Sequence, residues 1–302
     1  MASGLVIGAD GVIGSALLGA LRRRDWNAVG TARRLRVAPG LIRLDLDDVP
    51  KELSKDGAIA ALRAQGAWTA FLVAAVTGFA RCAEDPEATR RINVVNSATL
   101  AKQLLELGAF VVYPSSNAVF GDRMDVPEET APPSPASEYG RQKAEAEALL
   151  CSLARHDGDD SRVAIVRLTK VLSDGGLVGG WIEMLRAGRH VEAATNMILS
   201  PVSLTFVLEG LIRIAQLGRG GVYHLSGAEA LTYYDFASRL ANALGAEIHC
   251  VRPVEVRAGR GAAGAIGGAL GMEDTRHRVG LGPQTVDSVI RDLLLNGTTA
   301  DR

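Results

Sequence analysis

Tyr139 and Lys143 stand four residues apart in the run Tyr139-Gly-Arg-Gln-Lys143. On a helix that spacing puts both side chains on one face. A phenol with a reference pKa of about 10 is a poor acid–base group at neutral pH. An ammonium beside it stabilises the phenolate and lowers that pKa. Such a tyrosine gives or takes the proton of an alcohol while a nicotinamide handles the hydride. Taken alone, the pair equally fits a solvent-facing Tyr and Lys on an ordinary helix. A second group lies upstream, in Val111-Val-Tyr-Pro-Ser-Ser116-Asn-Ala-Val-Phe-Gly121. Ser116 would end a strand, where its hydroxyl would polarise a carbonyl or orient a hydroxyl. Two serines at a strand end also fit turn chemistry. No Gly-x-Ser-x-Gly elbow surrounds Ser116, so serine-hydrolase chemistry gains no support.

A dinucleotide is what the start of the chain suits. Leu5, Val6 and Ile7 read as a buried parallel strand. Gly8, Gly11 and Gly14 follow at equal spacing, and Ala16, Leu17, Ala20 and Leu21 then recur with helical period. Strand, glycine turn and helix form the context in which such a motif carries weight. Gly8 would permit the tight turn, Gly11 the approach of a pyrophosphate, and Gly14 close helix–strand packing. Val12 and Ile13 would also contact the cofactor, and the helix read from Ser15 onward would begin with free N–H groups that suit phosphates. A plain βα turn needing glycine at positive φ is the alternative. The second strand, residues 27–31, runs into Thr31-Ala-Arg33-Arg34. It has no acid where an NAD site commonly bonds the ribose 2′-hydroxyl. Arg33 and Arg34 suit a 2′-phosphate through paired hydrogen bonds and fixed charge. The expected cofactor is therefore NADP, with NAD as the alternative. Solvated loop charges, continuous with Arg36, are the other reading of the two arginines.

These groups need elements to position them. Residues 41–46 read as a third strand with Asp45 near its end, and 52–65 as a helix. Residues 69–76 form a strongly apolar fourth strand. A long helix is predicted over 86–107, with Pro86 at an early helical position. A strand over 110–115, a helix over 137–155 and a strand over 162–168 complete the alternation. Repeated βα units imply a parallel sheet covered on both faces, with ligands beyond the C-terminal strand ends. After residue 168 the rhythm loosens. Glycine-rich 173–180 leads to a short helix at 181–187, an extended pair at 201–202 and a helix over 205–217. A strand follows at 222–225, then a helix over 232–244 with Thr232 as N-cap and Asp235 three residues on. Residues 257–271 lack any period and suit a mobile flap or plain disorder. An amphipathic helix over 283–295 ends the pattern. The fold class is thus α/β: a Rossmann-type doubly wound parallel sheet with a small C-terminal substrate-binding lobe. The division expected is 1–168 for the dinucleotide-binding domain, continuing in part through the C-terminal segment, and 169–302 mainly for the lobe.

A chain of 302 residues fits one large α/β unit or two domains. Hydrophobic residues make up 47% and charged ones 22%, as in a globular chain with a substantial core. A net charge of −1 gives no electrostatic case for nucleic acid or an anionic membrane as partner. Cys82, Cys151 and Cys250 lie far apart, without metal-ligand spacing or a disulfide framework. No basic segment with a long apolar region opens the sequence, and no apolar stretch reaches the length of a membrane span. The expectation is a cytoplasmic protein with a small-molecule substrate, no metal, and room for a homodimer.

The motifs together, in this order, resemble the extended short-chain dehydrogenase/reductase family. The carriers are Gly8-x-x-Gly11-x-x-Gly14, Asp45-Leu46, Ala74-Ala75, Asn93, Ser115-Ser116, Tyr139-x-x-x-Lys143 and Arg167. Ser200-Pro-Val and Gly221-Val-Tyr-His-Leu-Ser-Gly227 are similar to the C-terminal lobe of the sugar-nucleotide members. Within them the resemblance is nearest to the dTDP-4-dehydrorhamnose reductases. It implies that Ser116 bonds the substrate oxygen and that Tyr139 is the general acid in reduction. Lys143 would lower the Tyr139 pKa and hold the nicotinamide ribose. Asp45 and Leu46 would flank the adenine, and Ala74, Ala75 and Val76 would line the nicotinamide half. Asn93 would be mainly structural. Substrate would meet Thr77, Ser116, Asn117 and Tyr139, and loops over 170–180 and beyond Pro201.

Departures from the family pattern bear on the substrate. The reductases usually carry Thr-Asp-Tyr where this chain has Ser116-Asn117-Ala118, and commonly Trp where it has Lys170. The acid–base pair of the sugar 4,6-dehydratases is replaced by Asn117 and Ala118, which disfavours water elimination. The function expected is an NAD(P)-dependent oxidoreductase that reduces a keto group, of a nucleotide-linked sugar. One alternative is an NAD-dependent sugar-nucleotide epimerase, which needs the same Ser, Tyr and Lys. The other is a non-catalytic dinucleotide-binding regulatory protein.

Overall fold

Apolar runs of the N-terminal half become strands buried on both faces. A computed structural model describes residues 2–33, 40–49, 53, 56–121, 123, 125–154, 161–256 and 268–296. Its first strands are β1 (Ser3–Ile7), β2 (Asn27–Ala32), β3 (Leu41–Arg43), β4 (Trp68–Leu72), β5 (Phe110–Ser116) and β6 (Val163–Leu168). Between them run α1 (Val12–Arg22), α2 (Gly57–Arg63), α3 (Phe79–Glu84), α4 (Pro86–Arg90), a π-helical turn (Arg91–Asn96), α5 (Ser97–Glu106) and α6 (Glu138–Ala154). Then come β7 (Lys170–Leu172), α7 (Gly176–Arg186), β8 (Val191–Ala194), β9 (Ile198–Leu199), β10 (Pro201–Ser203), α8 (Leu204–Leu217) and β11 (Gly221–Leu225). The last elements are β12 (Leu231–Thr232), α9 (Tyr233–Ala243), β13 (Val251–Val254), α10 (Glu273–Val279) and α11 (Val286–Asn296).

The main sheet has the order β3-β2-β1-β4-β5-β6-β11, and every pair in it is parallel. Alternation along a strand divides its side chains between two cores. Val6 joins Leu17, Leu21, Leu211 and Ile214 under α1 and α8. Leu5 and Ile7 join Ile59, Leu62, Leu100, Leu104 and Leu150 under α2, α5 and α6. This is the doubly wound, Rossmann-type arrangement. A third cluster, with Trp181, Leu185, Phe236, Leu240, Val289 and Leu293, packs α7, α9 and α11 over the short β8–β13 pair. Among the described residues no helix is long and apolar enough to cross a membrane.

Several boundaries differ from the sequence reading, each for a physical reason. The third strand ends at Arg43; Leu44 and Leu46 are buried, yet Asp45 is tied back to Asp48 in a turn. The fourth ends at Leu72, because the Ile7 carbonyl accepts from both the Val73 and Ala74 N–H groups and draws the chain off the ladder. The long helix does start at Pro86, capped by the Asp85 carboxylate, but opens into a π turn at Arg91–Asn96. The glycine-rich stretch forms the first turns of α7, where a Cβ on Gly179 would strike the Asp174 carbonyl oxygen. The capping box of Thr232 and Asp235 is present at α9. Most of the expected flap, 257–267 with Arg257 and Arg260, lies outside the described residues. Its end is docked: the Leu270 N–H donates to Ser226 Oγ at 2.8 Å and the Gly271 N–H to the Pro127 carbonyl at 2.9 Å.

β11 carries His224 into the core. Its Nδ1 lies 2.7 Å from the Gly271 carbonyl, so Nδ1 bears the proton and donates, while Nε2 faces Arg167 Nη1 at 3.5 Å. Burial brings its pKa down to about 4; the Gly271 bond opposes that, Arg167 adds to it and Glu129 opposes it. An unfolded histidine titrates near 6.5. Between those values the unfolded chain binds more protons, so this stabilisation is complete above about pH 6.5 and is lost as pH falls through about 4. A shift of that size corresponds to roughly 3 kcal/mol. His224→Gln should therefore flatten the fall in unfolding free energy across this window, read by urea titration at several pH values. Identical slopes in parent and variant would contradict the assignment.

Candidate active site

The turn from β1 into α1 is shaped by what its glycines leave out. Gly8 has φ +92°, and a Cβ there would stand 2.8 Å from the Ala74 backbone. A Cβ on Gly14 would meet the Gly8 carbonyl oxygen at 2.0 Å, so α1 packs directly on the turn. At Gly11 the nearest atom would be at 3.5 Å, an ordinary contact. Gly11 is the N-cap of α1 and no side chain caps that end. The first-turn N–H groups therefore suit an anion such as a pyrophosphate. Thr31 fastens the turn: its hydroxyl accepts from Gly8 N–H at 3.2 Å and its carbonyl from Ala9 N–H at 2.7 Å.

A groove of about 570 Å³ opens beyond these strand ends. It brings together Gly8, Gly11, Val12, Ile13, Gly14, Arg33, Asp45, Leu46, Ala74, Ala75 and Val76, expected for the cofactor, and Thr77, expected to meet substrate. Arg34 lies outside the described residues. Asp10, Thr31, Leu44, Val73 and Ile92 also line the groove and were not singled out by sequence. Thr31 had a readable signal, since it stands at the end of β2 in register with Ile7. Val76 is held in place by Asn93 of the π turn. Asn93 Oδ1 accepts from Val76 N–H at 2.8 Å, and its Nδ2 donates to the Val76 carbonyl and to Gln142 Oε1, each at 2.9 Å. The structural role expected of Asn93 thus consists of shaping the groove wall.

Ser116, Asn117, Tyr139 and Lys143 are not among the residues lining the groove, though Tyr139 and Lys143 were expected to meet the cofactor; Tyr139 packs against Val76 at its edge. Tyr139 is 7% exposed and packs with Cys82, Ala118, Val76 and Phe79. The Phe79 ring stands against it edge-on, with centroids 5.1 Å apart. Ser116 lies close enough to the phenol to favour its ionised form. Gly140 makes that approach feasible, because a Cβ there would strike the Ala118 carbonyl oxygen at 2.2 Å. Ser116 Oγ also accepts from Ala118 N–H at 3.2 Å. The Asn117 amide donates to the Gly268 carbonyl at 3.2 Å, so it helps fix the end of the 257–271 segment.

Lys143 shares a helix face with Tyr139, but its ammonium turns to β5. It donates to Tyr113 Oη at 3.1 Å and to the Pro114 carbonyl at 2.9 Å, 4.4 Å from the Tyr113 ring centroid. Burial lowers its pKa to about 8, against the opposing pull of Glu147 and Cys82. The expected lowering of the Tyr139 pKa by Lys143 is not what the geometry gives. Burial pushes the phenol up, Cys82 adds to this, and nearby Ser116 offsets part of it. The phenol stays protonated across the neutral range, which is the form a proton donor needs.

With this geometry in view, comparisons with known proteins become informative. The chain is 25% identical over 274 residues to methionine adenosyltransferase 2 subunit beta of Xenopus tropicalis, covering 83% of this chain and 74% of that one. It is 26% identical over 253 residues to dTDP-4-keto-6-deoxy-D-glucose reductase of Streptomyces niveus, covering 83% and 81%. Its fold is shared with the crystal structure of dTDP-4-dehydrorhamnose reductase from Bacillus anthracis in complex with NADP. That likeness has a TM-score of 0.78 and 18% identity, over 97% of this chain and 98% of the other. Residues 3–293 match the RmlD substrate binding domain, and the chain belongs to that family.

Proposed function

We propose that this protein is an NADP-dependent oxidoreductase that reduces a keto group on a nucleotide-linked sugar. The observation that carries the reading is the junction at Val76. There a groove that suits a dinucleotide ends at Val76, which packs against a buried tyrosine with Ser116 close by. Gly8, Gly11 and Gly14 would hold the pyrophosphate, Asp45 and Leu46 the adenine side, and Ala74, Ala75 and Val76 the nicotinamide half. The bound nicotinamide supplies the hydride. Ser116 would orient the substrate carbonyl. Tyr139 would give its Oη proton to that oxygen as the carbon becomes an alcohol, and solvent would return the proton. Lys143, bonded as a cation to Tyr113 Oη and the Pro114 carbonyl, would be a positioning residue that fixes the end of β5 carrying Ser116. The lobe of α7, α9 and α11, within residues 169–302, would seat the rest of the substrate. Relatives named as reductases of dTDP-linked keto sugars support the substrate class.

The acid–base part is tested at Tyr139 and Lys143. Tyr139→Phe should lower turnover by roughly 10²–10⁴-fold and leave the NADPH dissociation constant unchanged. Lys143 is a cation below about pH 8 and neutral above it. The kcat/KM for keto-sugar reduction should therefore fall as pH rises through about 8, and the residual activity of Lys143→Met should lack that limb. A parent profile flat through this region would sink the role given to Lys143.

Cofactor choice is read at Arg33, which lines the groove at the end of β2. A charge-assisted contact is worth about 1.5–3 kcal/mol. Arg33→Ala should then weaken NADPH roughly tenfold or more and spare NADH. Equal losses for both, or a parent that prefers NADH, would show the preference to be wrong.

A second reading, a dinucleotide-binding subunit without turnover, has two observations in its favour. Phe79 packs edge-on against Tyr139, and relatives at similar identity are named as a subunit of another enzyme. Tight NADPH binding with no NADPH oxidation across a panel of keto sugars would favour it.

A further inference from the structure

A second cavity, of about 410 Å³, lies beside the dinucleotide groove. Val12 and Ile13, the first residues of α1, line both spaces, so one turn of helix separates them. The opposite wall comes from β7, the glycine turn that leads into α7, and Tyr233 at the start of α9. The main chain there is fixed: Lys170 N–H donates to the Ser200 carbonyl at 3.0 Å, and β7 pairs with β10.

Lys170 is the charged residue of this lining. Among the described residues no acidic side chain lines the cavity; Asp174, close by in sequence, is outside it. No hydrogen bond or ion pair to the Lys170 ammonium occurs among the described residues, and the side chain is exposed. The wall around it is aliphatic, and Val12 and Leu177 expose 66% and 58% of their surface. An unpaired cation in a concave, apolar-walled space raises the local concentration of anions. Lysine serves there as a flexible point charge for phosphate or carboxylate oxygens. This is also the position where the resembling reductases commonly carry Trp, an uncharged side chain.

We propose that the cavity lined by Lys170, Tyr233 and Val12 is the substrate subsite beside the cofactor groove, and that Lys170 selects a substrate with an anionic oxygen group there. The proposal deepens the reductase reading and rests on it for the identity of the ligand as substrate. Two sources share the chemistry: the diphosphate of a nucleotide sugar, and a carboxylate on the sugar itself.

The test is calorimetric binding to the full chain saturated with NADP⁺, using UDP-glucose and UDP-glucuronate as probes. The proteins are the parent, Lys170→Met, Lys170→Glu and Lys170→Arg. Lys170 is exposed, so the variants should keep the parent melting temperature and NADP⁺ affinity. Loss of roughly tenfold or more for both probes in Lys170→Met, deeper in Lys170→Glu and restored in Lys170→Arg, assigns the diphosphate. The same loss confined to UDP-glucuronate assigns the carboxylate. Unchanged affinities in Lys170→Met and Lys170→Glu overturn the proposal, and so does a parent that binds neither probe. The readout is binding and neither probe carries a keto group, so Lys170-dependent affinity supports this site whether or not a keto sugar drives NADPH oxidation, which tests the reductase reading separately.

Discussion

One buried ion pair holds the helix of the site to the sheet. Arg167 of β6 and Glu147 of α6 are each 4% exposed at the side chain. Nη2 donates to Oε2 at 2.8 Å, and Nε to Oε2 and Oε1 at 3.1 and 3.2 Å. Ser115 Oγ adds a donor to Glu147 Oε1, and Arg167 Nη1 reaches the Glu129 carbonyl at 3.3 Å. The guanidinium also sits 4.9 Å from the Phe120 ring centroid. Desolvation makes such a pair weak evidence of net stability, but loss of one partner strands a buried charge at about 3–5 kcal/mol. What the pair fixes is geometry. Glu147 lies one turn beyond Lys143 and two beyond Tyr139, so anchoring it sets the roll of α6 against β5. Lys143 then meets Tyr113, and Tyr139 meets Ser116.

The same constraint explains how a second buried cation is tolerated. Lys143 gives up water, and burial lowers its pKa to about 8. Two oxygen acceptors and the face of Tyr113 replace part of that hydration, and Glu147 adds a field that favours the charged form. Tyr113 itself stays protonated, because burial raises its pKa far above the ordinary value. Gln142 locks the neighbouring register by donating to Thr89 Oγ1 at 3.0 Å and accepting from Asn93. Of the residues between Tyr139 and Lys143, Gln142 is thus held by hydrogen bonds and Gly140 by sterics and its N–H bond to Ser137 Oγ, while Arg141 is exposed.

Local chemistry was legible in the sequence, and contacts between distant segments were not. The glycine turn was readable because tight φ and helix start are short-range properties, and Gly8 and Gly14 meet them as expected. The parallel sheet followed from βα alternation. Strand ends did not, because hydrophobicity reports burial and not ladder pairing: Leu44 and Leu46 are buried outside any strand. The glycines at 175–180 suggested looseness but form a helix packed in the third core. The Tyr139–Lys143 spacing gave a shared face. It did not give the direction of the ammonium, which depends on β5. Gly140 and the π turn around Asn93 had no local signature.

The groove's charges bear on the cofactor choice proposed for Arg33. Three described lining residues are ionisable: Asp10, Arg33 and Asp45. The Asp45 carboxylate is used within its own loop, where Oδ1 accepts from Asp47 N–H at 3.0 Å. Asp10 stands at the glycine turn, one strand away from the end of β2. Arg33 is exposed and has no ion pair among the described residues, so its guanidinium needs no partner displaced before it meets an anion. Desolvation and repulsion would both oppose a phosphate beside Asp45. Beside Arg33 neither term opposes it, and the fork of donors adds paired hydrogen bonds. The balance of fixed charge around the groove therefore discriminates by position: an anion is favoured at the β2 end and a neutral base at the β3 end.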